Sequence, residues 1–485
     1  MAEDGRRAVY QVTFAVLSAG VSAFALLQSL VIPVLTTVQH ELHTTQGTVT
    51  WVLTAYLLSA AIMTPILGRV GDMMGKERVF VGTLIALAAG SLLAAVASSI
   101  GVLIVARVIQ GIGGGMVPAA FGIIRDEFPP EKVTGAIGAL ASLTAVGAGL
   151  GIVLAGPITD ALGYRWLFWL PMILTVAAAV AAVLFVPESP LRTPGRISWL
   201  PAGLLSAWLV ALLIALSEAP AWGWRSGRVI GLLAGAVLLA ACWVVAEQRA
   251  ATPLIDMKMM RRTAVWTLNL VGLLIGLGMY ATFAFLPEFV QTPSAAGYGF
   301  GASVTRSGLM LLPSAITMFG AGMLAGRLAT RLGGKSLVIA GCLIGCVAMS
   351  ILAFAHQHAW EIYLSNAIMG VGFGLAFSAI SALVVSAVPV TQTGVASGMN
   401  ANIRTIGGSI GAAVMASIVT SQLQPSGLPK ESGYTTGFAA MAGGLVLAAL
   451  AGLLIPSARR MLRMTAEPDA GTSAVGAALA GETAV

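Results

Sequence analysis

Charged residues are scarce in this chain. Only 9% of its 485 residues are Asp, Glu, Lys or Arg, whereas 58% are hydrophobic. A water-soluble domain carries about 25% charged residues, because its surface must be solvated by water. So little charge excludes an ordinary soluble fold, and the lipid bilayer becomes the solvent that determines the architecture.

The sequence also lacks the residue groups that support catalysis, metal binding or ATP hydrolysis. The three cysteines, Cys242, Cys342 and Cys346, lie in apolar runs without a histidine or an acid at metal-ligand spacing. There is no GxxxxGK[ST] phosphate-binding loop and no Ser/His/Asp constellation. We therefore do not expect an enzyme, a bound metal or a bound cofactor. We expect a proton gradient to be the driving force.

The net charge of +7 is not gathered into a nucleic-acid site. Basic residues occur in ones to threes between apolar stretches, whereas a nucleic-acid surface needs them clustered on one face. Their scattered distribution is instead typical of residues that fix membrane topology. We therefore expect no nucleic-acid partner.

Long apolar runs are what the sequence has in abundance. A helix needs about 20 predominantly apolar residues to span a bilayer. Segments of that kind fall at about residues 12–36, 49–67, 79–98, 101–123, 135–157, 166–186, 198–217, 229–246, 264–290, 305–326, 336–355, 360–385, 404–421 and 435–456. Backbone groups in hydrocarbon must be bonded within the segment, and no polar/apolar alternation is present, so each run predicts a helix. The predicted fold class is an all-α polytopic membrane protein with 14 transmembrane helices.

The distribution of Lys and Arg predicts the orientation. An even number of helices places both termini on the same side of the membrane. Apart from Arg107, twenty basic residues fall on the side of the termini and five on the opposite side. Cytoplasmic loops carry such an excess. The prediction is a multi-pass protein of the bacterial inner (cytoplasmic) membrane, with both termini in the cytoplasm.

The first six and the last six helices repeat a pattern of residues. The spacing of Arg107 and Gly111 in helix 4 recurs as Asn366 and Gly370 in helix 12. Small residues also serve simply to let helices pack closely, but ordered recurrence favours duplicated bundles around a central cavity. The predicted units are a six-helix bundle (1–190), a linker with two extra transmembrane helices (191–262), a second six-helix bundle (263–460) and a disordered cytoplasmic tail (461–485).

Four glycine-rich stretches carry motifs. GRVGDMMGKERVF ends helix 2, ARVIQGIGGG lies in helix 4, GAGLGIVLAGPITDALGYRW belongs to helix 5, and GVASGMNANIRTIGG belongs to helix 13. They resemble, in that order, the helix 2–3 loop, the buried-arginine motif and the antiporter motif of the major facilitator superfamily, and a stretch typical of its fourteen-helix drug:proton antiporter branch. The similarities extend over nearly the whole chain up to Pro456, including the extra helix pair.

The resemblance implies roles for the residues that match. The antiporter motif is matched by Gly147, Gly151, Gly156 and Asp160. The conformational switch is matched by Gly68, Asp72, Gly75, Lys76, Arg78 and Arg404. In the family, the aspartate at the position of Asp72 is thought to hold the two bundles together in the outward-facing state. A helix N-terminus of the second bundle is its natural partner, and an ordinary loop carboxylate is the alternative.

Two charged residues in apolar runs are candidates for proton coupling. Multidrug members of the family usually carry an aspartate in helix 1, but no acid lies between Asp4 and Glu41, and Gln28 occupies that region. Glu288 is the one acid in the apolar run of helix 9 and is the predicted proton carrier; a solvated position at the outer interface is the alternative. Arg107 is predicted to face the cavity, where it tunes the proton site or binds a polar group of the substrate, unless its role is purely structural.

The substrate cavity is predicted to be mainly apolar with a few orienting polar groups. Its candidate lining residues are Gln28, Tyr56, Trp169, Tyr280 and Asn366. The predicted function is proton-coupled export of a small amphipathic or apolar organic compound, such as a drug, antibiotic or secondary metabolite, by alternating access. A metabolite importer or facilitator and a non-transporting receptor or scaffold are the alternatives. The expected partners are this small-molecule substrate, protons and the lipid bilayer, and the chain is expected to act as a monomer.

Overall fold

The structure is a computed structural model that describes residues 2–456 except 45, 189–197, 251, 422 and 427. Fourteen of its helices are long and apolar enough to cross a membrane. They are α1 (Ala2–Leu30), α2 (Gln46–Met74), α3 (Lys76–Ala95), α4 (Ile100–Glu127), α5 (Pro130–Leu162), α6 (Trp166–Phe185), α7 (Trp199–Trp222), α8 (Gly227–Arg249), α9 (Thr263–Gln291), α10 (Val304–Leu332), α11 (Gly334–Phe354), α12 (Ala359–Ser386), α13 (Thr393–Thr420) and α14 (Glu431–Gly452). The described residues form no strand, and the predicted all-α fold class with 14 transmembrane helices is confirmed.

Each predicted apolar segment corresponds to one helix, but the ends of the helices differ. The largest difference is at α13, which begins at Thr393 rather than near residue 404. The stretch between contains Gly, Ser and Asn and is not apolar, yet it is buried between other helices. Asn400 illustrates how a polar side chain is accommodated there, because its Nδ2 donates to Oδ1 of Asn269 in α9 at 2.9 Å. Hydropathy alone therefore misses a stretch of membrane helix that is rich in Gly, Ser and Asn.

The two halves of the chain pack their helices in the same way. In the N-terminal half α1 packs on α5 and α6, α2 on α4, and α3 on α4 and α6. In the C-terminal half the equivalent pairs are α9 with α13 and α14, α10 with α12, and α11 with α12 and α14. Each half encloses its own apolar core. The equivalent packing of the two halves agrees with the repeat of residues seen in the sequence.

The extra pair, α7 and α8, lies between the halves in the chain but outside them in space. α7 packs against α2 and α13, and Thr54 of α2 and Ser217 of α7 share a hydrogen bond of 3.4 Å. α8 packs mainly on α7, and its outer side chains Val237 and Leu238 are 72% and 66% exposed, as expected for contact with lipid. The predicted boundary at 190/191 and the predicted tail (461–485) lie outside the described residues.

The two bundles meet along α5 and α10. A Cβ placed on Gly156 of α5 would lie 2.5 Å from Oγ1 of Thr305 in α10, and one placed on Gly326 of α10 would lie 2.9 Å from Cα of Gly135 in α5. These contacts are at opposite ends of both helices. We call the membrane face at which α1 begins the near face, and the opposite one the far face. The bundles therefore touch at both faces on this side of the molecule.

Candidate transport cavity and near-face latch

Asp72, in the last turn of α2, joins the two bundles at the near face. Its carboxylate accepts hydrogen bonds from the backbone N–H groups of Gly394 at 3.4 Å and Val395 at 3.3 Å, and the residue is 1% exposed. Both donors are in the first turn of α13, where unpaired N–H groups and the helix dipole attract an anion. The N-terminal bundle is thereby bonded to a helix terminus of the C-terminal bundle.

Two glycines allow α2 and α13 to approach this closely. A Cβ placed on Gly68, one turn before Asp72, would lie 2.6 Å from the carbonyl oxygen of Gly394. A Cβ placed on Gly394 would in turn lie 2.6 Å from the carbonyl oxygen of Gly68. Neither carbonyl can move aside without disturbing its helix. Any side chain at either position would therefore separate the two helices.

Arg125 makes a second link at the near face, which the sequence does not reveal. It lies near the end of α4, and its Nη2 donates to the carbonyl oxygen of Val388 at 2.7 Å while its Nη1 donates to Oγ1 of Thr393 at 2.7 Å. In the sequence Arg125 is one of many basic residues at helix ends, and nothing local indicates partners in the other half. We call Gly68, Asp72, Arg125, Gly394 and Val395 the near-face latch.

The other residues assigned to the conformational switch near Asp72 stay within the N-terminal bundle. Lys76 Nζ lies 2.6 Å from Oδ2 of Asp126, and both side chains are buried. Arg78 pairs with Glu188 at 2.9 Å on the surface. Gly75 has a φ of 117°, a conformation that favours glycine, and so permits the sharp turn between α2 and α3. These residues shape and anchor the turn that carries Asp72.

A cavity of about 370 Å³ lies in the far half of the molecule, between the bundles. It is lined by residues of α1, α2, α4, α7, α9 and α13 and by Ile32, and most of these side chains are apolar. The polar lining residues are Gln28, Thr54, Tyr56, Arg107, Ser217, Tyr280, Thr405 and Ser409. Thr405 is 12 residues beyond the start of α13 at Thr393, or about 18 Å at 1.5 Å per residue. The latch therefore lies between this cavity and the near face.

Arg107 is fixed in the wall of the cavity. Its Nε donates to the carbonyl oxygen of Val52 at 3.0 Å, and its Nη1 donates to Oε1 of Gln110 at 2.8 Å. The guanidinium lies over the ring of Tyr56, 4.1 Å from its centroid. Neither Nη2 of Arg107 nor the hydroxyl of Tyr56 has a hydrogen-bond partner among the described residues. The residue is fully buried, so a rigid cation with one unused donor group lies in the wall of the cavity.

The structure brings three of the five predicted cavity residues together. Gln28, Tyr56 and Tyr280 line the cavity. Trp169 does not, because it packs against the apolar core of the N-terminal half. Asn366 is fully buried inside α12, where its Nδ2 donates to the carbonyl oxygen of Ile362 at 2.9 Å. The sequence places all five in membrane helices, but it does not show which face of a helix each side chain occupies.

The sequence is similar to those of known membrane transporters. The sequence model described as Major Facilitator Superfamily matches residues 17–412. The chain belongs to the major facilitator superfamily. It is 30% identical to the multidrug resistance protein B homolog of Mycobacterium tuberculosis over 393 residues, which are 80% of this chain and 72% of that protein. It is 27% identical to the tetracenomycin C resistance and export protein of Streptomyces glaucescens over 416 residues, 85% of this chain and 76% of that protein.

A solved structure supports the same fold. The human organic anion transporter MFSD10 (TETRAN) matches with a TM-score of 0.67 at 18% identity, covering 92% of this chain and 99% of that one. At this identity the likeness concerns the fold alone. Family and relatives together show a transporter rather than an enzyme.

In this major facilitator protein the glycines of the antiporter motif are packing sites. A Cβ on Gly151 would lie 2.0 Å from Oγ of Ser29 in α1, and one on Gly147 would lie 2.8 Å from Cβ of Ala25. Gly156 faces α10 in the other bundle, as described above. Asp160 is exposed near the far end of α5. Three of the four motif residues therefore allow α5 to contact both bundles.

Arg404 lies away from the rest of the switch residues with which the sequence groups it. It is in the middle of α13, ten residues beyond Gly394, and its guanidinium lies over the ring of Phe377 in α12, 4.2 Å from the centroid. It also interacts with the side chain of Tyr280, a residue of the cavity wall. The structure therefore places Arg404 beside the cavity and not at the latch.

Glu288 lies near the far end of α9, three residues before the helix ends at Gln291. Its side chain is exposed and is not part of the cavity lining, although Phe283, Ala284 and Phe285 of the same helix are. It faces Tyr434 of α14. This position corresponds to the alternative of a carboxylate at the outer interface, and its role in proton coupling stays a prediction.

Proposed function

We propose that this protein exports a small amphipathic or apolar organic compound in exchange for protons, by alternating access. The observation that carries the proposal is the closed near-face latch below a cavity in the far half. We take this arrangement to be the outward-facing conformation of an exporter, in which substrate leaves and a proton enters. Opening the latch while closing the far side would expose the same cavity to the near face.

The proposed orientation puts the near face in the cytoplasm of a bacterium. Arg69, Lys76, Arg78, Arg125 and Lys132 all lie at that face, and cytoplasmic loops carry the excess of Lys and Arg. The predicted excess of basic residues on this side depends on a count of fourteen helices, which the described residues provide. Arg404, which the sequence assigns to that side, lies in the middle of α13 instead and does not contribute to the excess. Both termini would then be cytoplasmic, in the inner membrane.

The proposed substrate class and assembly state follow from the cavity and the relatives. A mainly apolar lining with a few polar groups suits an amphipathic organic compound, and the relatives are named for multidrug resistance and for export of tetracenomycin C. Helices of a single chain surround the cavity, so a monomer suffices.

Expression in an efflux-deficient bacterium tests the proposal. Across a panel of toxic amphipathic compounds, we expect the protein to lower the accumulation of at least one compound, and a protonophore to abolish the effect. Transport in the importing direction, measured in right-side-out and inside-out vesicles, would make the protein an importer. Saturable binding without flux in either orientation would make it a receptor.

Glu288 is the proposed proton carrier, since it is the one acid in the apolar run of α9 and is accessible at the far face. Glu288→Gln is expected to abolish export driven by a pH gradient while leaving substrate binding intact. Glu41→Gln, which neutralises another exposed acid near the far face, is the matched control. Unchanged pH-driven export by Glu288→Gln would remove this residue from the mechanism.

A further inference from the structure

The far-half cavity contains a positive charge without an acidic partner. Arg107 is the one charged side chain in its lining, and no Asp or Glu is among the described residues that form the wall. Arg404 adds a second guanidinium beside Tyr280. Asp72 and Glu288 lie at opposite ends of the bundles. A guanidinium does not lose its proton in proteins, so the cavity is permanently cationic.

A buried charge in a membrane protein is paired or faces a water-filled space. The two hydrogen bonds of Arg107 go to a backbone carbonyl and to a neutral amide, neither of which carries a negative charge. The described residues of the wall therefore supply no negative charge to Arg107. An anionic ligand would supply it directly.

The unused hydrogen-bonding groups of the cavity match a carboxylate. Nη2 of Arg107 and the hydroxyl of Tyr56 lack partners among the residues that the structure describes, and both side chains are at most 1% exposed. Stacking on Tyr56 fixes the plane of the guanidinium. A guanidinium nitrogen and a hydroxyl can donate to the two oxygens of one carboxylate, and hydrogen bonds between charged groups are the strong ones.

The rest of the wall suits an apolar body attached to that head group. Leu213 and Leu216 come from α7, and Phe283 and Phe285 come from α9. The volume of about 370 Å³ is in the range of small-molecule sites. Gln28 of α1 adds a neutral polar group and no charge. A cationic compound in this cavity would be repelled by the positive charge of Arg107, and no acidic side chain of the described wall would pair with it.

We propose that this cavity recognises organic anions, namely amphipathic compounds with one carboxylate or similarly acidic group bound by Arg107 and Tyr56, and that it disfavours organic cations. The inference rests on the proposed function, because it takes the cavity to be the transport site. It narrows the substrate from amphipathic compounds in general to acidic ones. Arg107 is thereby a residue that determines specificity.

Equilibrium binding of three matched probes tests the inference. 2-Naphthoate, 2-naphthamide and 2-naphthylmethylammonium share one aromatic body and differ in charge. Titrated by calorimetry into the protein in nanodiscs of zwitterionic lipid, with empty nanodiscs as the blank, the carboxylate is expected to bind about tenfold more tightly than the amide, the effect of one charge-assisted hydrogen bond. The ammonium compound is expected to bind most weakly.

Variants of Arg107 make the test specific. Arg107→Gln is expected to bind the carboxylate and the amide with about equal affinity. Arg107→Lys keeps the positive charge but lacks the planar guanidinium, so it is expected to retain part of the preference. Arg306→Gln, which neutralises an exposed arginine at the start of α10, is expected to change nothing. Size-exclusion profiles establish whether each variant is folded. If Arg107→Gln does not fold, the order of affinities in the wild type and the reduced carboxylate preference of Arg107→Lys test the inference.

Three results would overturn the inference. These are tightest binding of the ammonium probe, an unchanged carboxylate preference in Arg107→Gln, and absence of saturable binding for all three probes. Because the measurement is of binding, it is separate from transport. Anion binding without proton-dependent flux would refute proton-coupled export and leave the inference standing. Proton-driven export of cations alone would support export and refute the inference.

Discussion

The near-face latch and the far-half cavity both place a buried charge where the two bundles approach each other, but only the latch is complete. Asp72 receives two backbone hydrogen bonds from α13, and glycines bring the two helices into contact. Arg107 has one nitrogen without a partner in the described part of the chain, beside a cavity of about 370 Å³. The protein completes the latch by itself, whereas we propose that the transported molecule completes the contact at Arg107.

The largest effect is expected from breaking the latch sterically. Gly68→Val places a branched side chain against the carbonyl oxygen of Gly394, where even a Cβ would lie at 2.6 Å. Overpacking of this kind costs up to about 3 kcal/mol, so transport in vesicles should fall about 100-fold. Gly82→Val is the control, because that glycine is exposed and has nothing within 4 Å. Wild-type transport by Gly68→Val would mean that the latch does not form.

The cavity's charge predicts a large electrical effect. Moving one negative charge outwards across a potential of 100 mV, inside negative, is downhill and releases about 2.3 kcal/mol, which is equivalent to about 50-fold in the equilibrium distribution of an anion. Export of an acidic substrate is therefore expected to continue under an imposed potential when the pH gradient is collapsed. Valinomycin and potassium gradients in vesicles set the potential. Insensitivity of export to the potential would contradict an anionic substrate.

A milder change tests the electrostatic part of the latch. Asp72→Asn keeps the shape of the side chain but removes the charge that the N-terminus of α13 stabilises. The hydrogen bonds to a charged group lose about 1.4 kcal/mol, so the exchange rate should fall about tenfold. Glu131→Gln, an exposed acid in the first turn of α5 at the same face, is the control. Equal rates for both variants would reduce the latch to a steric contact.

The smallest effect is expected from the wall that α7 contributes. Leu216→Trp reduces the volume available beside Ser217, and overpacking by about 1 kcal/mol should weaken substrate binding about fivefold. Leu238→Trp on the lipid-facing side of α8, where the leucine is 66% exposed, should leave binding unchanged. Calorimetric titration compares them. No difference between the two variants would place the substrate away from α7.

The sequence predicts the helices well and the side-chain partners poorly. Apolar length defines all fourteen spans because lipid contact requires it. The start of α13 is missed since its first residues, such as Asn400, are buried by protein and need no apolarity. The sequence does not reveal that Trp169 and Asn366 lie outside the cavity, because a span is apolar all round and its pattern does not show which side faces the interior.

Partners far apart in the chain are equally hard to predict. Arg125 contacts Thr393 across 268 positions, and no local pattern encodes such a contact. Arg404 belongs to a motif stretch that begins at the latch, but α13 carries it about 15 Å further, at 1.5 Å per residue, to the side of the cavity. The contribution of α7 to the wall is also invisible in the sequence, where the extra helices form a separate segment.

The distance between the bundles at the near face tests the account most directly. Cys242, Cys342 and Cys346 are first replaced by serine. Spin labels at Met74 and Thr391 then report the separation of α2 and α13 by double electron–electron resonance. We predict a dominant short distance in the wild type and a second, longer population that grows in Asp72→Asn. One unchanged distance in both proteins, under conditions in which the wild type transports, would contradict alternating access through this latch.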